Sequence, residues 1–181
     1  FDSAGSLQRA VRSLTEQTHE DWLAVIVDDG STDHGLALAQ SLSRAEPRLR
    51  VVSQPNAGVA SARNRGLDHL AGENVHFVTF LDADDEFTPW AFERLLAAAA
   101  RESSLAAFGD FQFVNARGVP LGEQRARASL VGLNELLGSV FLLVSSVLID
   151  ARILRAERFR TDLHLIEDTN LWLRLAHQGV S

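Results

Sequence analysis

The chain contains no cysteine and no methionine. Without cysteine there can be no disulfide, no thiolate metal site and no cysteine nucleophile, and such a composition fits a reducing compartment. It opens on Phe1 rather than an initiator methionine and shows no signal peptide, so it reads as a fragment of a longer gene product whose other parts carry membrane or acceptor-binding functions. Long hydrophobic runs are scarce as well. The longest, residues 140–149 of SVFLLVSSVLI, is too short to span a bilayer, carries two serines and reads as a buried strand. Positive charge is also in short supply: 17 Lys and Arg face 24 Asp and Glu, a formal net charge of -7. A negative field gains nothing from meeting nucleic acid or an anionic membrane, and any phosphate ligand would need a cation as go-between.

What is present suffices for one domain, since 181 residues at 46% hydrophobic content can bury a single core. Leu7, Ala10, Val11 and Leu14 recur at helical spacing and predict a helix over 4–16, with Asp2 or Ser3 as N-cap. The run 22–27 reads as a parallel strand covered on both faces. Ser31, Thr32 and Asp33 cap a helix to about residue 43, and 48–53 is a second strand. A helix with Val59, Ala62, Gly66, Leu67 and Leu70 inward follows, then a strand over 74–81. Thr88 as N-cap and Pro89 at the first helical position open the next helix. Beyond residue 104 the pattern predicts strands at 105–114 and 140–149, a turn at 115–118, a short helix at 132–138 and a last helix over 168–178. Alternation of this kind means a mostly parallel sheet between helical layers, an αβα sandwich, and it calls for one more strand ahead of Phe1.

Two acidic segments stand directly behind apolar runs: Asp28-Asp29-Gly30-Ser31-Thr32-Asp33 and Asp82-Ala83-Asp84-Asp85. In an open α/β sheet ligands bind outside the carboxyl ends of the strands, so both belong to one crevice. Asp28 and Asp29 taken alone are better read as turn and capping residues, and their value comes from the other segments. Three carboxylates in the second segment repel one another unless a divalent cation or strong donors intervene, and oxygen ligands favour magnesium, manganese or calcium. An EF-hand loop is excluded, because Phe87 occupies the position of its turn glycine, Pro89 lies inside it and a strand precedes it. The stretch 56–66, NAGVASARNRG, runs from a glycine into a helix and suits an anionic or nucleotide ligand, or is an ordinary loop with surface arginines. Glu167 and Asp168 open the last helix either as dipole-favoured acids or as a general base. The six histidines form no ligand-spaced pair; His164 and His177 lie nearest the last motif.

With VDDGSTD at 27–33, NAGVASARNRG at 56–66, FLDADD at 80–85 and EDTNLWLRL at 167–175, the chain resembles the family 2 inverting glycosyltransferases, which have the nucleotide-diphospho-sugar transferase fold called GT-A. The resemblance implies a Rossmann-like three-layer fold with its first strand missing or truncated, a nucleotide-binding half at 1–103 and an acceptor-binding, catalytic half at 104–181. It implies that Asp28, with Asp29, accepts from the base, usually uracil, that Arg63 contacts base or phosphate, and that Asn56 and Gly58 belong to the same pocket. Asp82 and Ala83 would lie at the ribose, Asp84 with Asp82 at a manganese or magnesium ion on the diphosphate, Phe1 against the nucleotide, and Asp168, beside Glu167, would take the acceptor hydroxyl's proton. The donor so implied is a UDP-sugar and the acceptor a glycan or lipid-linked hydroxyl, in bacterial cell-surface polysaccharide synthesis on the cytoplasmic side of the membrane. Two rivals are a catalytically silent nucleotide- or carbohydrate-binding module and a sugar nucleotidyltransferase; the latter wants a Gly-rich basic loop after the first strand, which residues 1–20 lack.

Overall fold

Residues 3–102, 104–115, 118–125, 142–163 and 165–180 are described by a computed structural model. Phe1, Asp2, residues 116 and 117 of the expected turn, the expected helix 132–138, residues 140 and 141, and His164 lie outside them.

An apolar run covered on both faces is what the first strand proves to be. Ala24 and Ile26 of β1 (Ala24–Asp29) pack with Val11 and Leu14 of α1 (Ala4–Thr15). On the opposite face α3 (Val59–Leu70) comes so close that a Cβ on Gly66 would lie 3.5 Å from a Val27 methyl. Through α2 (Gly35–Ala45) the chain returns to β2 (Leu49–Gln54), parallel to β1, with Asp28 opposite Ser53 and Asp29 opposite Gln54. The strand thus lies two residues later than the expected 22–27. Its acids belong to the ladder, because Ser53 and Gln54 give them donors across the strand pair.

A second sheet has the order β3-β7-β4, from Phe77–Thr79, Val147–Asp150 and Ala106–Phe108, with β7 antiparallel to both neighbours. The expected strand 105–114 is split: its ladder with β7 runs as far as the Gly109 amide on the Ser146 carbonyl, and the chain continues as β5 (Phe111–Val114) in a hairpin with β6 (Pro120–Gln124). The expected strand 140–149 is likewise shorter. Residues 144–146 form a 3-10 turn because the amide and hydroxyl of Ser146 both bond the Leu143 carbonyl, a local option that serine offers the backbone. Helix α4 (Ala91–Glu102) starts later than Thr88 and Pro89 suggest. Its Phe92 amide is taken by Oε1 of the buried Gln17, whose Nε2 bonds the Thr88 carbonyl, so the cap comes from α1's end of the chain. Val59, expected inward on α3, is 46% exposed, and the buried stripe runs instead through Ala60 and Leu67.

The short helix α5 (Ala151–Ala156) and α6 (Glu167–His177) cover the second sheet. Ile149, Leu154 and Leu171 are essentially inaccessible there, packed with Trp172 and Phe159. Among the described residues no ladder joins β1 to β3. A cavity of about 910 Å³ separates them, walled by apolar residues of both strands and of α1, α3 and α4.

At the turn into β2, Arg48 lies 4.0 Å from the Trp22 ring and clasps Glu46. The Arg48 side chain first, then its backbone amide, pull the Glu46 carboxyl down to about 2. Depressed in the fold, this acid contributes stability that is present above its unfolded value and lost as pH falls through the folded one. Glu46→Gln should therefore lower the urea midpoint near pH 6, and the difference from wild type should shrink below about pH 4 and close only as the pH falls to about 2; a difference independent of pH refutes the linkage.

Candidate functional site

Asp29 organises the first loop. Its Oδ1 accepts from Gln54 Nε2 at 2.7 Å and the Ala57 amide at 2.9 Å, and its Oδ2 from the Gly58 amide at 2.8 Å. Asp28 accepts from Ser53 Oγ at 3.0 Å and the Ser31 amide at 3.3 Å. Both acids are buried, so they hold 30–31 and 56–58 in shape as turn-forming residues do. Asp33 accepts from the amides of Ala4 and Gly35, the Ala4 amide being the stronger influence, and its pKa is lowered; one side chain thereby joins the starts of α1 and α2.

Gly30 has φ +71°, and a Cβ there would lie 2.6 Å from the Asn56 amide nitrogen; Gly58 has φ +88° with nothing within 4 Å. Only glycine allows the 30 and 56 backbones to meet.

The second acidic segment folds into a turn, the Asp85 amide bonding the Asp82 carbonyl at 3.0 Å. Its carboxylates have separate partners. Repulsion is relieved by giving each its own surroundings. Asp82 meets Arg63 at 2.8 Å, Asp85 accepts from Ser145 Oγ at 2.6 Å, and Asp84 is exposed. Burial raises the Asp85 pKa; the Ser145 bond opposes this, and Asp82 and Asp84 add to the rise. Ser145 Oγ also accepts from the Asp82 amide at 3.2 Å, so one hydroxyl pins the turn at two places.

No group of three or more His, Asp or Glu side chains is arranged to hold a metal among the described residues. The donors do fit one that arrives with its ligand: magnesium and manganese commonly take one or two carboxylates and complete their shell with substrate phosphates and water. Asp84 offers a solvent-facing carboxylate of that kind, whereas Asp82 has one oxygen engaged by Arg63.

Arg63 joins the first half of the chain to its last helix. It lies on the buried stripe of α3 between Ala60 and Leu67, with 9% of its side chain exposed. Nη2 meets Asp82, Nη1 meets Glu167 Oε1 at 2.7 Å, and the guanidinium lies 5.3 Å from the Phe159 ring. Its neighbour Asn64 donates to the Phe159 carbonyl and accepts from its amide, fixing 159 against α3. Glu167 is buried, and its Oε2 has no hydrogen-bond partner. Asp168, half-buried beside it, accepts from the Thr169 amide. The cavity between the sheets is bounded at this end by Asp29, Val59, Arg63, Asp82 and Ala83.

The structure therefore brings Asp29, Arg63, Asp82, Ala83 and Glu167 together, and Asn56 and Gly58 join them through Asp29. His177 lies at the far end of α6. Ser145, Gln54 and Asn64 escape sequence reasoning. Ser145 and Ser146 interrupt an apolar run, which was the one visible sign.

An α/β core with acidic turns at the carboxyl ends of its strands and an acidic helix start beside them defines the GT-A class of fold. Residues 1–156 match the model of the family described as Glycosyl transferase family 2, and the chain belongs to that family. It is 26% identical over 180 residues to the putative teichuronic acid biosynthesis glycosyltransferase TuaG of Bacillus subtilis, covering 99% of this chain and 70% of TuaG. With the uncharacterized glycosyltransferase YibD of Escherichia coli it shares 33% over 102 residues, 56% of this chain and 29% of YibD. The structure of S. aureus TarS 1–349 in complex with UDP superposes with a TM-score of 0.78 at 24% identity, over 97% of this chain and 52% of that one. The mannosyltransferase PcManGT from Pyrobaculum calidifontis, in complex with GDP-Man and Mn2+, gives 0.72 at 20% identity, over 99% of this chain and 50% of that one. The chain thus spans about half of these solved structures. No helix of the described residues is long and apolar enough to cross a membrane.

The two loop glycines yield a paired test. Gly30→Ala, which adds a backbone clash to the left-handed strain, should cost roughly 2 kcal/mol or more, and Gly58→Ala about 1 kcal/mol. Urea unfolding of both variants measures this, and equal costs would show that the 30–56 contact does not matter.

Proposed function

We propose that this chain is the donor-binding and catalytic part of a metal-dependent inverting glycosyltransferase, moving a sugar from a UDP-sugar to a hydroxyl of a glycan or lipid-linked acceptor in cell-surface polysaccharide synthesis. The observation that carries the reading is the Arg63 bridge, which brings Glu167, and with it the start of α6, to the acidic turn at Asp82. Family membership supports the transfer chemistry. The UDP and UDP-GlcNAc complexes of TarS support a uridine nucleotide, and the Mn2+ in PcManGT supports a metal.

In this reading Asp28 accepts from the base with its remaining lone pairs, while Asp29 keeps Asn56 and Gly58 in place beside it. Asp82 and Ala83 border the ribose. Asp84, assisted by Asp82, would hold manganese or magnesium, whose charge offsets the negative charge that develops on the departing diphosphate. Asp168 takes the proton of the acceptor hydroxyl while that oxygen forms its bond to the anomeric carbon. The bond from that carbon to the diphosphate breaks on the opposite face, which inverts the configuration without a covalent enzyme intermediate.

UDP with manganese should raise the melting temperature by mass action, and UDP with a chelator should not. Asp168→Asn should retain the shift while lowering transfer by about 10²- to 10⁴-fold. Absence of any shift at millimolar UDP rejects the donor assignment; transfer undiminished in Asp168→Asn rejects the base.

A further inference from the structure

The geometry points to Arg63 as a positioning residue that holds the general base in place through Glu167, rather than as a ligand of the nucleotide sugar; this rests on the reading of Asp168 as the base. Both terminal nitrogens of Arg63 are committed to carboxylates, at 2.7 Å and 2.8 Å, and its Nε is buried without a partner. With 9% of the side chain exposed and the Phe159 ring nearby, the guanidinium offers little open surface to a phosphate or a base.

The start of α6 is where positioning is needed. Its N-cap residue is Ile166, which has no capping side chain, and it follows Leu165, 94% exposed with φ +72°. A left-handed leucine is not a conformation that the local sequence favours, so contacts elsewhere must hold it. Leu171, Trp172 and Leu175 fix the helix from its second turn onward. In the first turn, the Arg63–Glu167 pair is the side-chain bond that ties α6 to the first half of the chain among the described residues. Glu167 is buried, and Arg63 is its ion-pair partner. A planar guanidinium can hold two carboxylates at fixed angles, which an ammonium cannot. Arg63 therefore fixes Glu167, and Glu167 fixes the next residue, Asp168, relative to the acidic turn.

Hydrogen exchange and kinetics on the full-length protein test this with Arg63→Lys, Arg63→Gln, Glu167→Gln and the Arg63→Gln/Glu167→Gln pair. Amides of 166–170 in the ligand-free Arg63→Lys and Glu167→Gln proteins should exchange about tenfold faster, as local opening becomes easier. The kcat for UDP release from UDP-glucose, UDP-galactose or UDP-GlcNAc with Mn2+, water being the acceptor, should fall about 10- to 100-fold in each, because a small misplacement of a catalytic group costs that much. The Kd for UDP and the donor KM should stay within about threefold of wild type, and the double variant should be no slower than the slower single, since the two residues act as a unit. Arg63→Lys retains the charge and so carries the test if Arg63→Gln fails to fold. Unchanged exchange at 166–170, wild-type kcat in Arg63→Lys, or a tenfold rise in UDP Kd confined to the Arg63 variants each overturns the inference and leaves the transferase reading standing. A wild-type protein that neither binds UDP nor releases it from any of the three donors fails that reading, and this inference with it.

Discussion

Seven carboxylates, Asp28, Asp29, Asp82, Asp84, Asp85, Glu167 and Asp168, stand near the ends of strands or at a helix start in a protein already at a net charge of -7. That arrangement persists because the charges are distributed among separate donors. Asp28 and Asp29 take backbone amides and neutral side chains from the neighbouring strand and loop, Asp85 takes a serine hydroxyl, and Asp84 is exposed at the surface. The remaining junction, where the acidic turn meets the last helix, depends on one guanidinium. Removing one partner of a buried ion pair leaves an uncompensated charge, typically a loss of about 3–5 kcal/mol. The relation between the two halves of the site follows from that constraint.

The same economy shows in how the loops are braced. Glycine at 30 allows two backbones to touch, Asp29 ties the second loop to the first strand, and Asn64 locks Phe159 under the guanidinium. These are neutral or charge-assisted bonds to backbone groups, which hold position more firmly than exposed side-chain pairs do. The apolar cavity beside them is a different matter. It lies between β1 and β3, which no ladder joins among the described residues, and one end opens on Asp29, Arg63 and Asp82.

Much of this was legible in the residues. The helices 4–15, 35–45, 59–70 and 167–177 and the parallel strand pair follow from periodicity, because each buries its apolar face close to where the sequence places it. The acidic turns were visible as candidates because several carboxylates behind an apolar run are hard to explain as core. Misreadings occurred where a distant partner outweighed a local preference. Gln17 caps α4 in place of Thr88, and Ser146 turns back on Leu143 in an apolar run. Ser145 showed only as a polar break in an apolar run, since nothing in SVFLLVSSVLI says that its hydroxyl meets a turn 60 residues earlier.

By itself the sequence determined the element types, the charge balance and which segments carry chemistry, because those depend on residue spacing and local preference within a few turns of chain. Tertiary structure alone decided how the two acidic segments differ. The first is built into a strand and spent on loop shape; the second is split between an arginine, a serine and solvent. It also decided that Arg63 meets Glu167 across 104 residues, an outcome of sheet order and helix packing that no local pattern encodes.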